Sequence, residues 1–183
     1  IEPAGLPAVR LAALHQLLAR DEVSDEDMVR VQRANLLDPM APNPSVETLL
    51  HAFLPHKFVD HTHANAVVSL VDQDNSAELC QEVYGTRMGF VPYVMPGFQL
   101  AKAAAAVFKR DPKVEGFILD KHGIFTFGES AREAYERMSE AGTMAEKRQQ
   151  KKRKAVDVPE HMTPQGQKGG RQAAVGRGRR GRG

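Results

Sequence analysis

Cysteine is nearly absent from this sequence, since Cys80 is the only one among 183 residues. A single cysteine cannot form an intramolecular disulfide, which excludes the disulfide-stapled scaffolds of small secreted proteins and is typical of a reducing compartment. Long apolar runs are missing too. The most apolar stretches, residues 64–71 and 103–108, are far shorter than the roughly 18–20 residues that span a bilayer. These absences predict a cytoplasmic protein that does not enter a membrane.

An initiator methionine is also lacking, because the first residue is Ile1. We therefore expect a piece of a longer reading frame. With 183 residues, 42% of them apolar, the chain has material for one hydrophobic core and not two. We expect a single domain over residues 1–148 and an appended tail over residues 149–183.

Positive and negative charges are divided unevenly along the chain. Residues 147–183 hold 12 Lys/Arg against 2 Asp/Glu, a net charge of +10, which leaves 13 basic and 21 acidic residues, a net charge of −8, before them. An acidic body repels a phosphate backbone, so nucleic-acid binding would depend on the tail alone. The tail ends in Gly and Arg without aromatic residues that could stack on bases. We expect it to be disordered and interpret it as an accidental sequence after a frame change, not as a nucleic-acid-binding segment.

Apolar residues follow helical and strand periods in alternation along the body. Helices are predicted over residues 6–20, 25–38, 45–54, 64–71, 77–84, 97–110 and 130–148, and strands over residues 58–63, 89–94, 114–119 and 124–127. Alternation of this kind predicts an α/β domain, with a sheet between helices. No Gly-x-Gly-x-x-Gly sequence follows a predicted strand, so we expect no dinucleotide binding.

Two histidines, His61 and His63, are separated by one residue in a predicted strand. Their side chains therefore leave the same face of the sheet and can converge on one ion. Three histidines with one open coordination position are typical of a catalytic zinc site, and His122, next to an apolar strand, is the best third candidate. An isolated His-x-His pair is also common without any metal. The other histidines are less suited: His15, His51, His56 and His161.

Glu47 is the candidate general base. It falls in the first turn of the helix predicted just before the histidine strand, so its carboxylate could face the metal. Acids are common in first turns for another reason, since they stabilise the helix dipole by about 0.3–1 kcal/mol. Position alone leaves both interpretations open.

Four blocks of sequence, in order, give a more specific indication. They are PSVETLLHA (residues 44–52), VDHTH (59–63), VPYVMPG (91–97) and KHGIFTFG (121–128). Together they resemble the class II aldolase/adducin family over about residues 28–146. Within it, they are most similar to the aldolase half of bifunctional rhamnulose-1-phosphate aldolase/short-chain dehydrogenase proteins. The resemblance implies a three-layer α/β/α domain, here N-terminally truncated, without the dehydrogenase half.

The same resemblance implies a function. His61, His63 and His122 would bind Zn²⁺, and Glu47 would be the catalytic acid/base residue. The implied reaction is retro-aldol cleavage of a sugar phosphate, such as rhamnulose 1-phosphate, to dihydroxyacetone phosphate and lactaldehyde, in a homo-oligomer. Family members bind the substrate phosphate with Gly/Ser-rich loops nearer the N-terminus, and residues 1–44 contain no such loop.

Two other functions stay open for a chain with this resemblance. One is a sugar-phosphate 4-epimerase of the same fold, which would use the same zinc site. The other is a non-catalytic, adducin-like interaction module, against which the complete set of histidines argues. The acid that protonates the aldehyde oxygen is not assigned: Tyr84 and Tyr93 are candidates, although Tyr93 is favoured as a packed strand residue.

Overall fold

The computed structural model of the chain describes residues 5–152. This part forms seven helices: α1 (Leu11–Leu17), α2 (Asp25–Ala34), α3 (Thr48–Ala52), α4 (Asn65–Val71), α5 (Ser76–Tyr84), α6 (Phe98–Arg110) and α7 (Ala131–Lys152). It also forms four strands: β1 (Phe58–Thr62), β2 (Met88–Val91), β3 (Gly116–Leu119) and β4 (Gly123–Gly128). Within it, no helix combines the length and apolar character needed to cross a membrane. The predicted disordered tail falls largely on residues 153–183, outside the described residues.

The four strands form one mixed sheet in the order β1-β4-β3-β2. β4 pairs antiparallel with both β1 and β3, whereas β2 lies parallel to β3. Every residue of the two central strands is buried. Near-continuous apolar strands of this kind arise where both faces of a sheet are covered.

Two hydrophobic cores occupy the two faces of the sheet. Phe117 and Phe125 point into the core shared with α1, α2, α3 and α6. Their strand neighbours Ile118 and Ile124 point into the opposite core, shared with α4, α5 and α7. Because successive side chains of a strand alternate between faces, each central strand contributes to both cores. The predicted α/β fold with helices on both sides of the sheet is confirmed.

Several predicted element boundaries are wrong, and local hydrogen bonds explain them. The first helix begins at Leu11 and not near residue 6, because Val9 forms an isolated antiparallel bridge with Leu36. That bridge also ends the second helix early. β2 stops at Val91, since Pro92 has no amide hydrogen to donate to a neighbouring strand.

The two helices that flank the predicted site also differ from expectation. α3 begins at Thr48 and not at residue 45. Before it, the Ser45 hydroxyl accepts the Glu47 amide hydrogen at 3.1 Å, and this side-chain turn competes with helix formation. At the other end of the domain, α7 continues past residue 148 to Lys152.

Candidate metal centre

The pairing of β1 with β4 brings the histidines together. Thr62 lies opposite Ile124 in the antiparallel register, so the residues just beyond them, His63 and Gly123, flank the same end of the sheet. His122 precedes Gly123 in the turn that joins β3 to β4. His61, two residues before His63, faces the same side of β1. Three imidazoles from positions 61, 63 and 122 therefore meet at one end of the sheet.

Glu47 completes the cluster from the N-cap position of α3. Its Oε1 atom lies 2.8 Å from His122 Nε2, 3.2 Å from His61 Nε2 and 3.9 Å from His63 Nε2. The two nitrogens His61 Nε2 and His63 Nε2 are 3.0 Å apart. All four candidate donor atoms lie within 4.8 Å of one another. Glu47 was expected in the first turn of a helix, but it lies one residue before α3 begins. Its side chain nevertheless reaches the histidines.

His61 is the most firmly held member of the cluster. Its Nδ1–H donates to the carbonyl oxygen of Ile124 at 2.9 Å, which leaves the lone pair on Nε2. Its ring also stacks on the Phe125 ring, with centroids 4.0 Å apart and planes 14° apart. By contrast, His122 Nδ1 is buried and has no hydrogen-bond partner among the described residues. Sequence reasoning missed both partners of His61, although both belong to the strand predicted after His122.

The backbone geometry of the β3–β4 turn was also not predicted from the sequence. Lys121 adopts a left-handed backbone with φ 53°, an uncommon conformation for a residue with a side chain. At Gly123, a Cβ atom would lie 2.6 Å from the Thr62 carbonyl oxygen and 3.0 Å from the His63 ring. The absence of a side chain there allows His63 to fold back against the start of β4.

Their surroundings favour the cation-binding forms of Glu47 and His61. Burial raises the pKa of Glu47, but the charges of His61 and the other two histidines, with the His122 hydrogen bond, outweigh it, and the net pKa lies below the ordinary 4.5. Burial lowers the pKa of His61 below the ordinary 6.5, and the Ile124 carbonyl and Glu47 only partly oppose this. At neutral pH the carboxyl group is ionised and the His61 imidazole is neutral.

The remaining histidines have other contacts. His15 Nε2 lies 2.7 Å from the carbonyl oxygen of Ala52. His51 packs against the Phe125 ring edge to face, and His56 stacks on Phe127. None of the three belongs to the cluster. His161 lies outside the described residues.

The two tyrosine candidates occupy different places. Tyr84 is buried in the core on the α4, α5 and α7 side, and its hydroxyl donates to the carbonyl oxygen of Ala141 at 3.3 Å. Burial also raises its pKa above the ordinary value. Tyr93 is not a packed strand residue, as was favoured, because it is exposed in the segment that follows β2. This segment leaves the sheet at the same end as the cluster, since β2 runs parallel to β3.

The donor set fits a metal ion in composition and spacing. Ligands about 2.0–2.1 Å from a tetrahedral ion lie about 3.4 Å from one another. The distances from Glu47 Oε1 to the three histidine Nε2 atoms, from 2.8 to 3.9 Å, bracket this spacing. Nitrogen and oxygen ligands of this kind suit Zn²⁺ and neighbouring divalent transition metals. The cluster is a candidate metal centre in a three-layer α/β/α domain.

Comparison with known proteins gives the family. Residues 16–148 match the family described as Class II Aldolase and Adducin N-terminal domain. The chain belongs to this family. Its fold is similar to that of the N-terminal class II aldolase domain of a conserved protein from Thermoplasma acidophilum. That structure has a TM-score of 0.74 and 37% sequence identity, over 80% of this chain and 68% of the other.

Two relatives differ in the function that their names state. The uncharacterized oxidoreductase YuxG of Bacillus subtilis (strain 168) is 41% identical over 129 residues, which are 70% of this chain but only 19% of YuxG. The methylthioribulose-1-phosphate dehydratase of Yersinia pestis (strain Pestoides F) is 30% identical over 154 residues, covering 71% of this chain and 69% of the dehydratase. The chain therefore spans about a fifth of one relative and about two thirds of the other.

Proposed function

We propose that this chain is a zinc-dependent lyase domain that cleaves a ketose 1-phosphate by a retro-aldol reaction. The substrate class includes rhamnulose 1-phosphate, which would give dihydroxyacetone phosphate and lactaldehyde. One observation carries the proposal: a carboxylate and three imidazole nitrogens, from positions up to 75 residues apart, converge at one end of the sheet. A non-catalytic interaction module would have no need of this convergence.

His61, His63 and His122 would hold the zinc ion. When bound, Zn²⁺ supplies a Lewis acid that stabilises negative charge on the substrate's carbonyl and neighbouring hydroxyl oxygens. The exposure of the three side chains suggests how substrate enters: His63 is 60% exposed, whereas His61 and His122 are 10% and 9% exposed. Substrate would approach from the side of His63.

Glu47 would carry the proton at the reacting carbon. In the retro-aldol step, the hydroxyl group on the far carbon of the broken bond loses its proton and becomes the aldehyde. The bonding electron pair stays on the carbon adjacent to the carbonyl, and this carbon then takes up a proton, so that no proton is gained or lost overall. Glu47 is 20% exposed at its side chain, so solvent reaches it only in part. Its carboxylate lies against three imidazoles and would rotate away from them to reach the substrate carbon.

Dehydration of a ketose 1-phosphate is the second candidate, supported by the similarity to methylthioribulose-1-phosphate dehydratase. In this reaction a base removes the proton next to the carbonyl, and a hydroxyl group leaves from the following carbon. Glu47 would act at the same atom in both reactions. The difference is the bond that breaks: carbon–carbon in the aldolase and carbon–oxygen in the dehydratase.

A product assay separates the two reactions. Zinc-loaded protein would be incubated with rhamnulose 1-phosphate and, separately, with methylthioribulose 1-phosphate. Triose phosphate formation would be followed by an NADH-linked reduction, and water loss by mass spectrometry. Cleavage to dihydroxyacetone phosphate supports the aldolase, and loss of water from the intact sugar supports the dehydratase. Turnover of neither sugar phosphate, with zinc bound, would count against both.

Glu47→Gln tests the role of the carboxylate. This change keeps the shape of the side chain but removes its ability to take up a proton, so we expect kcat to fall by about 10²–10⁴-fold with zinc content unchanged. Glu129→Gln is the matched control, because Glu129 is exposed just beyond β4, at the opposite end of the sheet from the cluster. Equal activities of the two variants would show that the Glu47 carboxylate does not transfer a proton in the reaction.

We further propose that the protein is a cytoplasmic homo-oligomer. Large apolar side chains at Met40, Tyr93 and Met95 are exposed in the described part of the chain. Apolar side chains at the surface favour contact with a second protein surface when they form one patch. Sedimentation velocity would measure the assembly, and a monomer at micromolar concentration would contradict it.

A further inference from the structure

Aromatic residues of neighbouring strands lie on the sheet face beneath the candidate metal centre. His61 lies directly opposite Phe125 in the β1–β4 register, and Phe125 lies opposite Phe117 in the β4–β3 register. Directly opposed residues place their side chains on the same face of a sheet, close enough to touch. Both phenylalanines are fully buried. The imidazole of His61 therefore lies against a fully buried phenylalanine ring, that of Phe125.

Two contacts fix the orientation of the His61 ring. The Ile124 carbonyl oxygen accepts the Nδ1 hydrogen at 2.9 Å, which sets the direction of one ring nitrogen. The Phe125 ring lies nearly parallel to the imidazole, with centroids 4.0 Å apart and planes 14° apart, which sets the plane. With direction and plane both fixed, Nε2 points to the place where Glu47 and His63 also meet.

We propose that Phe125 is a positioning residue of the metal centre, which holds His61 in the rotamer and tautomer that present Nε2 to the ion. This inference depends on the proposed zinc site. Groups that orient metal-binding histidines are usually hydrogen-bond acceptors, and their loss weakens metal binding by about 10–100-fold. Here a stacked ring acts together with the carbonyl oxygen of the neighbouring residue.

The chain supplies a matched control two residues further along β4. His56 stacks on Phe127 with centroids 4.2 Å apart and planes 23° apart, and Phe127 is fully buried in the same core as Phe125. His56 lies outside the cluster of candidate ligands. Phe127→Leu therefore removes the same type of contact and a similar buried volume, but it leaves the surroundings of His61 in place.

Metal affinity is the first test. Zinc affinity would be measured by competition with a chromophoric chelator, and the coordination geometry by the visible spectrum of the cobalt-substituted protein. We expect Phe125→Leu to weaken zinc binding by about tenfold or more and to change the cobalt spectrum. Phe127→Leu should bind zinc within about twofold of the unchanged chain, although both variants lose stability. Equal losses of affinity, or none in either variant, would overturn the inference.

A second test needs no metal. Long-range ¹H–¹⁵N correlation spectra of the metal-free chain at pH 8 identify the tautomer of each neutral histidine. We expect His61 to be protonated at Nδ1, with ring protons shifted upfield by the Phe125 ring, and Phe125→Leu to give a mixture of tautomers. If that variant does not fold, Phe125→Met takes its place. Protonation at Nε2 in the unchanged chain would refute the inference by itself, whether or not the chain binds zinc.

Discussion

At the scale of single residues, two histidines with similar aromatic contacts differ in their other contacts. His56 and His61 each stack on a phenylalanine of β4, and burial lowers the pKa of both below the ordinary 6.5. The Nδ1 atom of His61 has the Ile124 carbonyl oxygen as its partner, and the other candidate metal ligands surround Nε2. His56 has a buried Nδ1 without a hydrogen-bond partner in the described part of the chain. Both histidines have the aromatic contact, so the hydrogen bond at Nδ1 is what distinguishes the candidate ligand His61 from the packed side chain of His56.

The lowered pKa of these histidines predicts how stability depends on pH. Below about 6.5 the unfolded chain takes up protons at these positions while the folded chain resists, so stability is complete above 6.5 and is lost as the pH falls through the folded pKa. His56→Phe removes one such group and should reduce the loss between pH 7 and pH 5. Urea unfolding of the metal-free chain at both pH values measures this.

The same measurement at pH 8 is the control for His56→Phe. His56 is neutral there in the folded and the unfolded chain, so any difference in stability reflects packing against Phe108 and Phe127 alone. An unchanged difference between pH 7 and pH 5 would show that His56 contributes nothing to the pH dependence.

At the scale of elements, two glycines show how strongly neighbouring strands restrict a position. At Gly116, in β3, an added Cβ would collide with the backbone carbonyl of Phe125 in β4. At Gly142, inside α7, an added Cβ would meet nothing within 4 Å. The same substitution therefore has opposite effects in the two elements.

We expect Gly116→Ala to destabilise the domain by about 1–3 kcal/mol, because a strand backbone cannot move aside without breaking its ladder. Gly142→Ala should stabilise by about 0.5–1 kcal/mol, because alanine loses less entropy in a helix interior. Denaturant unfolding of both variants gives the two free energies of unfolding. Destabilisation by Gly142→Ala would contradict the open surroundings of that position.

At the scale of the whole molecule, the candidate metal centre links parts of the domain that are far apart in sequence. Glu47 lies at the start of α3, His61 in β1, His63 just after β1, and His122 in the β3–β4 turn. An ion held by the three histidines would bind the folded chain much more strongly than the unfolded chain, in which these positions are separated. Metal binding and folding are therefore expected to be coupled.

Zinc should raise the thermal stability of the chain. At a free concentration 100 times the Kd, binding adds about 2.7 kcal/mol, which for a domain of this size raises Tm by roughly 5–10 °C. A variant with His61, His63 and His122 all changed to alanine should lose this increase. Differential scanning fluorimetry with and without zinc makes the comparison. The same increase in the variant would place zinc binding elsewhere on the chain.

Part of the fold and site was predictable because it depends on neighbours in sequence. The spacing of His61 and His63 predicted that both imidazoles lie on one side of the chain. The two rings do converge, although β1 ends at Thr62, one residue before His63. The alternation of apolar patterns predicted the α/β layers. The shifted boundaries of β2 and α3 also have local causes, in Pro92 and Ser45. The start of α1 and the end of α2 were not predictable, because the bridge between Val9 and Leu36 joins residues 27 positions apart.

The sequence by itself determined the donor types and the direction in which each element presents them. Only the tertiary structure decided that they meet: the antiparallel pairing of β1 with β4 places His122 beside His63, and the packing of α3 brings Glu47 to 2.8 Å from His122. Local spacing fixes which side chains share a face, because backbone geometry repeats with a constant period. It cannot fix contacts between residues 75 positions apart, because those depend on the free energy of burying both faces of the sheet at once.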